Sequence, residues 1–143
     1  MKPIQTIDHF NGQYAFLSNF APTNVLYDNL EYFTVEHAYQ AAKTLDLTER
    51  KKIQGAETPA VAKKMGRNVI LRNDWESVKL DIMLDLLRQK FLNDDLKYAL
   101  LSTNNAELIE GNWWGDVFWG VCRGRGQNHL GRLLMLVRNE ICQ

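Results

Sequence analysis

Cysteine is scarce: Cys122 and Cys142 are the two in 143 residues, too few for a disulfide framework, and no Cys/His cluster at metal-ligand spacing accompanies them. Both read as free thiols, and neither a metal nor another cofactor is expected. Net charge is missing as well, because 17 Lys and Arg balance 17 Asp and Glu, so no overall field draws the chain onto nucleic acid or an anionic membrane. Any basic patch must be local. No run approaches the roughly 20 apolar residues of a membrane span, and the start, MKPIQTIDHF, carries no apolar leader-like stretch. These absences predict a cytoplasmic protein with no membrane partner. Repeats, low-complexity tracts and Pro/Ser-rich linkers are also lacking. With 45% hydrophobic residues, the chain is expected to form one compact domain, 1–143, with a sizeable core.

What is present is mainly helical patterning. Val25–Tyr27 and Leu30–Phe33 flank Asp28-Asn29 and predict a hairpin. Thr34 then stands as N-cap of a helix whose apolar stripe is Val35, Ala38, Ala42 and Leu45, with Tyr39 beside it. Short helices are expected at 49–54 and at 59–65, the second with Thr58 as cap, Pro59 at its first position and Gly66 past its end. Asp74 is expected to cap a long helix over about 75–92, followed by a short one over about 95–102. Ala106–Ile109 and Val117–Val121 read as strands on either side of an aromatic loop. Arg123–Asn128 reads as a flexible basic loop leading into a last helix with Leu130, Leu133, Leu134, Val137 and Ile141 on one side. The expected fold class is mainly α, with a few short β-strands.

Three constellations could carry chemistry. Glu36, Gln40 and Lys43 recur at spacings of four and seven, which places them on one helix stripe, with the Cα atoms of Glu36 and Lys43 about 10 Å apart along the axis. The plain reading of that spacing is a solvated polar face with weak helix pairs. Trp113-Trp114-Gly115-Asp116-Val117-Phe118-Trp119 clusters four aromatic residues around an acid, with Glu110 upstream; any one of the rings suits a core, but the set suits a pocket wall that stacks a base or sugar. Arg123-Gly124-Arg125-Gly126 could hold phosphate, although it lacks the spacing of a P-loop or a dinucleotide fingerprint. Lys63, Lys64 and Arg67 gather at the Gly66 stop, where cations also suit a helix C-terminus.

Taken in order, these segments resemble the YbiA-like NADAR family. The resemblance rests on Phe16-Leu17-Ser18-Asn19-Phe20, Thr34-Val35-Glu36-His37-Ala38-Tyr39-Gln40-Ala41-Ala42-Lys43, Met65-Gly66-Arg67, Trp75–Lys79 and Lys90-Phe91. It continues through Leu108-Ile109-Glu110, Asp116–Gly120 and Gly126–Met135, and so covers about residues 10–140. It implies a mainly helical YbiA-like domain that cleaves N-glycosidic bonds of a phosphorylated ribosyl substrate. That substrate would be a ribosylaminopyrimidine intermediate of riboflavin synthesis or ADP-ribose attached to guanine, free or in nucleic acid. A non-catalytic ADP-ribose or NAD-binding module is the alternative that the same residues would serve.

By the same resemblance, Glu36, Lys43 and Asp116 are the catalytic candidates. Ser18, Asn19, Phe20, His37, Gln40, Glu110, Trp114, Trp119, Gly120 and Asn128 are the substrate-binding ones, so that the helix stripe and the aromatic loop become two walls of one pocket. N-glycoside cleavage passes through an oxocarbenium-like state, which calls for negative charge at the anomeric carbon and a proton for the leaving nitrogen. Glu36 is assigned to the sugar, Asp116 to water and Trp119 to stacking. Lys43 is either a phosphate clamp or, as a neutral amine, a nucleophile that opens the sugar as a Schiff base.

Overall fold

The computed structural model describes residues 5–143, so the reading of the chain start falls partly outside the described residues. The elements run β1 (Thr6–Ile7), a 3-10 helix (Gly12–Leu17), β2 (Pro22–Tyr27), β3 (Leu30–Thr34), α1 (Val35–Ala42), α2 (Leu47–Gln54), α3 (Pro59–Gly66) and α4 (Trp75–Lys90). They continue with α5 (Asp94–Leu101), β4 (Glu107–Leu108), β5 (Gly111–Asn112), β6 (Val121–Cys122) and α6 (His129–Cys142). The fold is mainly α with short strands, as its patterning predicts. Its contacts group into two compact units: a mid-chain unit, Asn19–Lys90, and a split unit made of the residues through Ser18 with Phe91–Gln143.

In the mid-chain unit, β2 and β3 pair antiparallel with Val25 opposite Tyr32 and Tyr27 opposite Leu30. Asp28 and Asn29 turn the hairpin at φ 49° and 71°, a left-handed pair that Asp and Asn tolerate at low cost. The chain leaves β3 through Thr34, whose hydroxyl accepts the His37 amide, and enters α1. Elements β2, β3, α2, α3 and α4 all pack on α1, and each of its eight residues is buried. Ala38, Ala41 and Ala42 suit that position, since small side chains let neighbours approach. The helix ends sooner than its stripe suggests, and Leu45 is 67% exposed rather than part of a buried face. Arg72 donates to the Ala42 carbonyl and Arg50 to that of Thr44, so these carbonyls are satisfied by guanidinium groups instead of another helical turn. Asp46 caps α2 and Thr58 caps α3. Gly66 is the last residue of α3 rather than the one beyond it.

Lys90, the last residue of α4, is fully buried, and that burial pushes its ammonium down from 10.5 to about 7. Between those values the unfolded chain keeps a proton that the folded chain releases, so stability from this group rises with pH through that window. Below it both states hold the proton, and this group no longer makes stability change with pH. The melting temperature of Lys90→Met relative to the parent chain is therefore expected to be higher near pH ~6 than near pH ~10. Thermal melts at both values check this, and an equal effect at the two would contradict burial as the cause.

In the split unit, β1 pairs parallel with β4, and β5 pairs parallel with β6. Leu100, Leu108, Leu130, Leu134 and Val137 are buried, and Arg138 on α6 donates to the Thr103 hydroxyl and the Ala106 carbonyl, both at 2.8 Å. The strand expected over Val117–Val121 is replaced by a turn, because the Asp116 carboxylate accepts from the Phe118 and Trp119 amides and folds the segment back. Only Val121–Cys122 is strand. The flexible basic loop is instead a tight turn, with Cys122 and Arg125 exchanging backbone hydrogen bonds around Arg123 and Gly124 at positive φ. Cys122 and Cys142 are both free thiols. Among the described residues, no helix is long and apolar enough to cross a membrane.

Candidate functional site

The polar stripe of α1 is not solvated. Glu36, His37 and Gln40 are buried, which overturns the plain reading of the spacing, and a buried polar group costs stability unless it is bonded. Gln40 meets that need in part: its Nε2 donates to Glu36 Oε2 at 2.5 Å. Asn19 supplies another tie, its backbone carbonyl accepting the Glu36 amide at 3.1 Å, while its Nδ2 points to Met83 Sδ at 3.6 Å. Two acceptors of this cluster, Asn19 Oδ1 and Gln40 Oε1, are buried without a hydrogen-bond partner among the described residues. Phe20, next along the chain, is 39% exposed.

His37, expected at the substrate, is held inside the unit. Its Nε2 lies 3.0 Å from the Ala56 carbonyl oxygen and its Nδ1 2.8 Å from the Thr34 hydroxyl. A carbonyl only accepts, so Nε2 carries the proton and Nδ1 accepts from Thr34. Both ring nitrogens are engaged, and the residue ties the start of α1 to the turn at Ala56.

Lys43 follows α1, half-buried, with its ammonium 5.5 Å from the centroid of the Tyr39 ring four residues back. Burial pushes its pKa below the ordinary lysine value; the Glu36 carboxylate opposes that shift, and Lys63, Arg67 and Lys79 reinforce it. Two of the three cations gathered at the end of α3, Lys63 and Arg67, thus act on Lys43. Tyr39 thereby joins this cluster through its ring, and its spacing of four from Lys43 is a signal that the sequence carries.

The split unit gathers a second set. Asp116 Oδ1 accepts from the Phe118 amide at 3.1 Å and the Trp119 amide at 2.9 Å. Asn112 holds the loop from below: its Nδ2 donates to the Asp116 carbonyl and to Glu110 Oε2, and its Oδ1 accepts the Asp116 amide. Nothing in the aromatic pattern singled out Asn112, and an Asn four residues before an acid is too common a pairing to flag it. Gly120 is required for space, since a Cβ there would overlap Glu110 and crowd Asn112. Trp119 packs edge-on against Phe118 at 4.9 Å, and Trp114 edge-on against the largely exposed Trp113 at 5.6 Å.

Asn128, expected at the substrate, is a clasp. It takes a left-handed conformation at φ 54°, accepts the Glu110 amide at 2.9 Å and donates to the Leu108 carbonyl at 2.9 Å, so both ends of its amide are used within the unit. Ser18 closes the 3-10 helix with its amide bonded to Ala15. The structure therefore brings Asn19, Glu36, Gln40 and Lys43 together in one unit, and Glu110, Asp116, Trp119, Gly120 and Asn128 in the other. Among the described residues, no group of three or more His, Cys, Asp or Glu could hold a metal ion.

The family described as the NADAR domain matches residues 7–142 and so runs through both units. N-glycosidase YbiA of Shigella flexneri serotype 5b is 41% identical over 135 residues, which cover 92% of this chain and 84% of that protein. Riboflavin biosynthesis protein VVA0006 of Vibrio vulnificus is 37% identical over 90% of this chain, which spans 36% of its length. The NMR structure of the E. coli protein YbiA superimposes with a TM-score of 0.83 at 38% identity, covering 97% of this chain and 86% of that one. With one family matching nearly every residue and a relative this similar across most of its own length, the chain belongs to the NADAR domain family.

Proposed function

We propose that this chain is an N-glycosidase that hydrolyses the bond between a nitrogen and the anomeric carbon of a phosphorylated ribose. The carrying observation is the buried Glu36 carboxylate, held by Gln40 and electrostatically coupled to Lys43. Burying a carboxylate is costly, and a carboxylate kept in that setting has the character of a catalytic group. Relatives named N-glycosidase support the reaction class. Glu36 stabilises the oxocarbenium-like ribose, and Asp116 positions water. Trp119 offers the stacking face. The lysines and arginine around Lys43 suit a phosphate on the substrate.

The name of the Vibrio relative favours a ribosylaminopyrimidine phosphate as substrate. ADP-ribosylated guanine, free or in DNA, presents the same ribose carbon and phosphate. Incubation with ribosylaminopyrimidine phosphate, ADP-ribosylguanosine and ADP-ribosylated DNA, scored for the freed nitrogen compound and for free ribose phosphate or ADP-ribose respectively, tests the proposal. Cleavage of one or more supports it. Tight binding of all three without any product would instead make the chain a binding module.

A further inference from the structure

Gly66 closes α3 and is buried, yet it is not one of the glycines at positive φ. Its backbone conformation is open to any residue, so conformation does not demand a glycine here. Space does. A Cβ on Gly66 would overlap Oε1 and crowd Cδ and Cβ of Gln40, three atoms spread along the side chain, so turning the terminal amide alone would not relieve the contact. Gln40 is itself 3% exposed, which leaves its side chain little room to leave. The same carboxamide, through Nε2, holds Glu36 Oε2 at 2.5 Å.

We propose that Gly66 and Gln40 form a positioning device for Glu36: the bare Cα face of Gly66 seats the Gln40 carboxamide, and the seated amide holds the Glu36 carboxylate in one orientation. This rests on Glu36 being the sugar-facing carboxylate of the glycosidase. Gly66 touches neither substrate nor reacting atoms and acts only through Gln40. The close approach of Gly66 to Oε1 and Cδ of Gln40 seats that end of the amide, while Nε2 at the other end holds Glu36. A carboxylate misplaced by about 1 Å is enough to lose roughly 100-fold in rate.

The test compares Gly66→Ala, Gln40→Ala and the double variant, each as the full chain. Turnover of ribosylaminopyrimidine phosphate is measured alongside the side-chain amide signals of Gln40 in nitrogen-15 NMR spectra. Each single variant is expected to lose about 100-fold in kcat with KM changed far less, and Gly66→Ala to shift the Gln40 amide signals and speed their hydrogen exchange. The double variant should be no slower than Gln40→Ala, because removing Oε1 and Cδ takes away the two overlaps under 3.0 Å and leaves the new methyl only the 3.0 Å contact with Cβ. Should Gly66→Ala fail to fold, a folded double variant with the rate of Gln40→Ala carries the same conclusion. Singles whose losses multiply in the double variant, wild-type kcat in Gln40→Ala, or unmoved Gln40 signals in Gly66→Ala would each overturn the device. A wild-type chain inactive on every ribosylated substrate would instead remove the glycosidase reading, while the amide signals still report whether Gly66 seats Gln40.

Discussion

Glu36→Gln is expected to lower turnover by about three orders of magnitude while the chain stays folded. The substitution removes the charge that an oxocarbenium-like ribose needs and keeps the shape that fills the buried position. The replacement amide can still present an oxygen to Gln40 Nε2, so the contact between the two residues survives. Had Glu36 been a solvated helix residue, the same change would mean little; because it is buried, thermal melting must accompany the assay. A folded variant with wild-type turnover would remove Glu36 from the reaction. The change should also leave Lys43 a still weaker base, since the Glu36 carboxylate is the group that opposes the loss of its proton.

Lys43→Arg separates two roles for the residue after α1. A phosphate clamp needs only positive charge, which Arg keeps, so a clamp predicts a substantial fraction of activity remaining. A nucleophile needs a neutral amine. Burial and the neighbouring Lys63, Arg67 and Lys79 all shift Lys43 toward that form, and we expect the arginine variant to be as inactive as Lys43→Ala. In that route Nζ bonds to the anomeric carbon as the bond to the leaving nitrogen breaks and that nitrogen takes a proton. The ring then opens to a protonated Schiff base that water hydrolyses. Borohydride added during turnover should fix a ribosyl adduct on Lys43, detectable by mass. Because the free amine is the reactive form, the rate should climb with pH until Lys43 has lost its proton, at a value below that of an ordinary lysine. An active Lys43→Arg variant and no adduct would leave the residue as an electrostatic binder.

Local chemistry alone determined much of this protein. Asp28-Asn29 between two apolar runs specified the hairpin because few residues tolerate a left-handed pair, and Thr34 and Thr58 announced α1 and α3 by side-chain caps that need only the next three residues. The long order of motifs from Phe16 to Met135 identified the family, and with it Glu36, Lys43 and Asp116 as candidates. What packing decides was out of reach. Periodicity places Glu36 and Gln40 on one stripe but does not say whether that stripe meets water, and only the elements packed on α1 make it buried. The same limit applies to His37 and Asn128, whose polar atoms are consumed by Thr34, Ala56, Leu108 and Glu110, some of them close in sequence and others distant. Val117–Val121 alternates like a strand, yet the Asp116 carboxylate takes two of its amides and turns it. Gly66 read as a helix stop, a role that needs only its own backbone, whereas its real constraint is a side chain 26 positions earlier, which no local pattern contains.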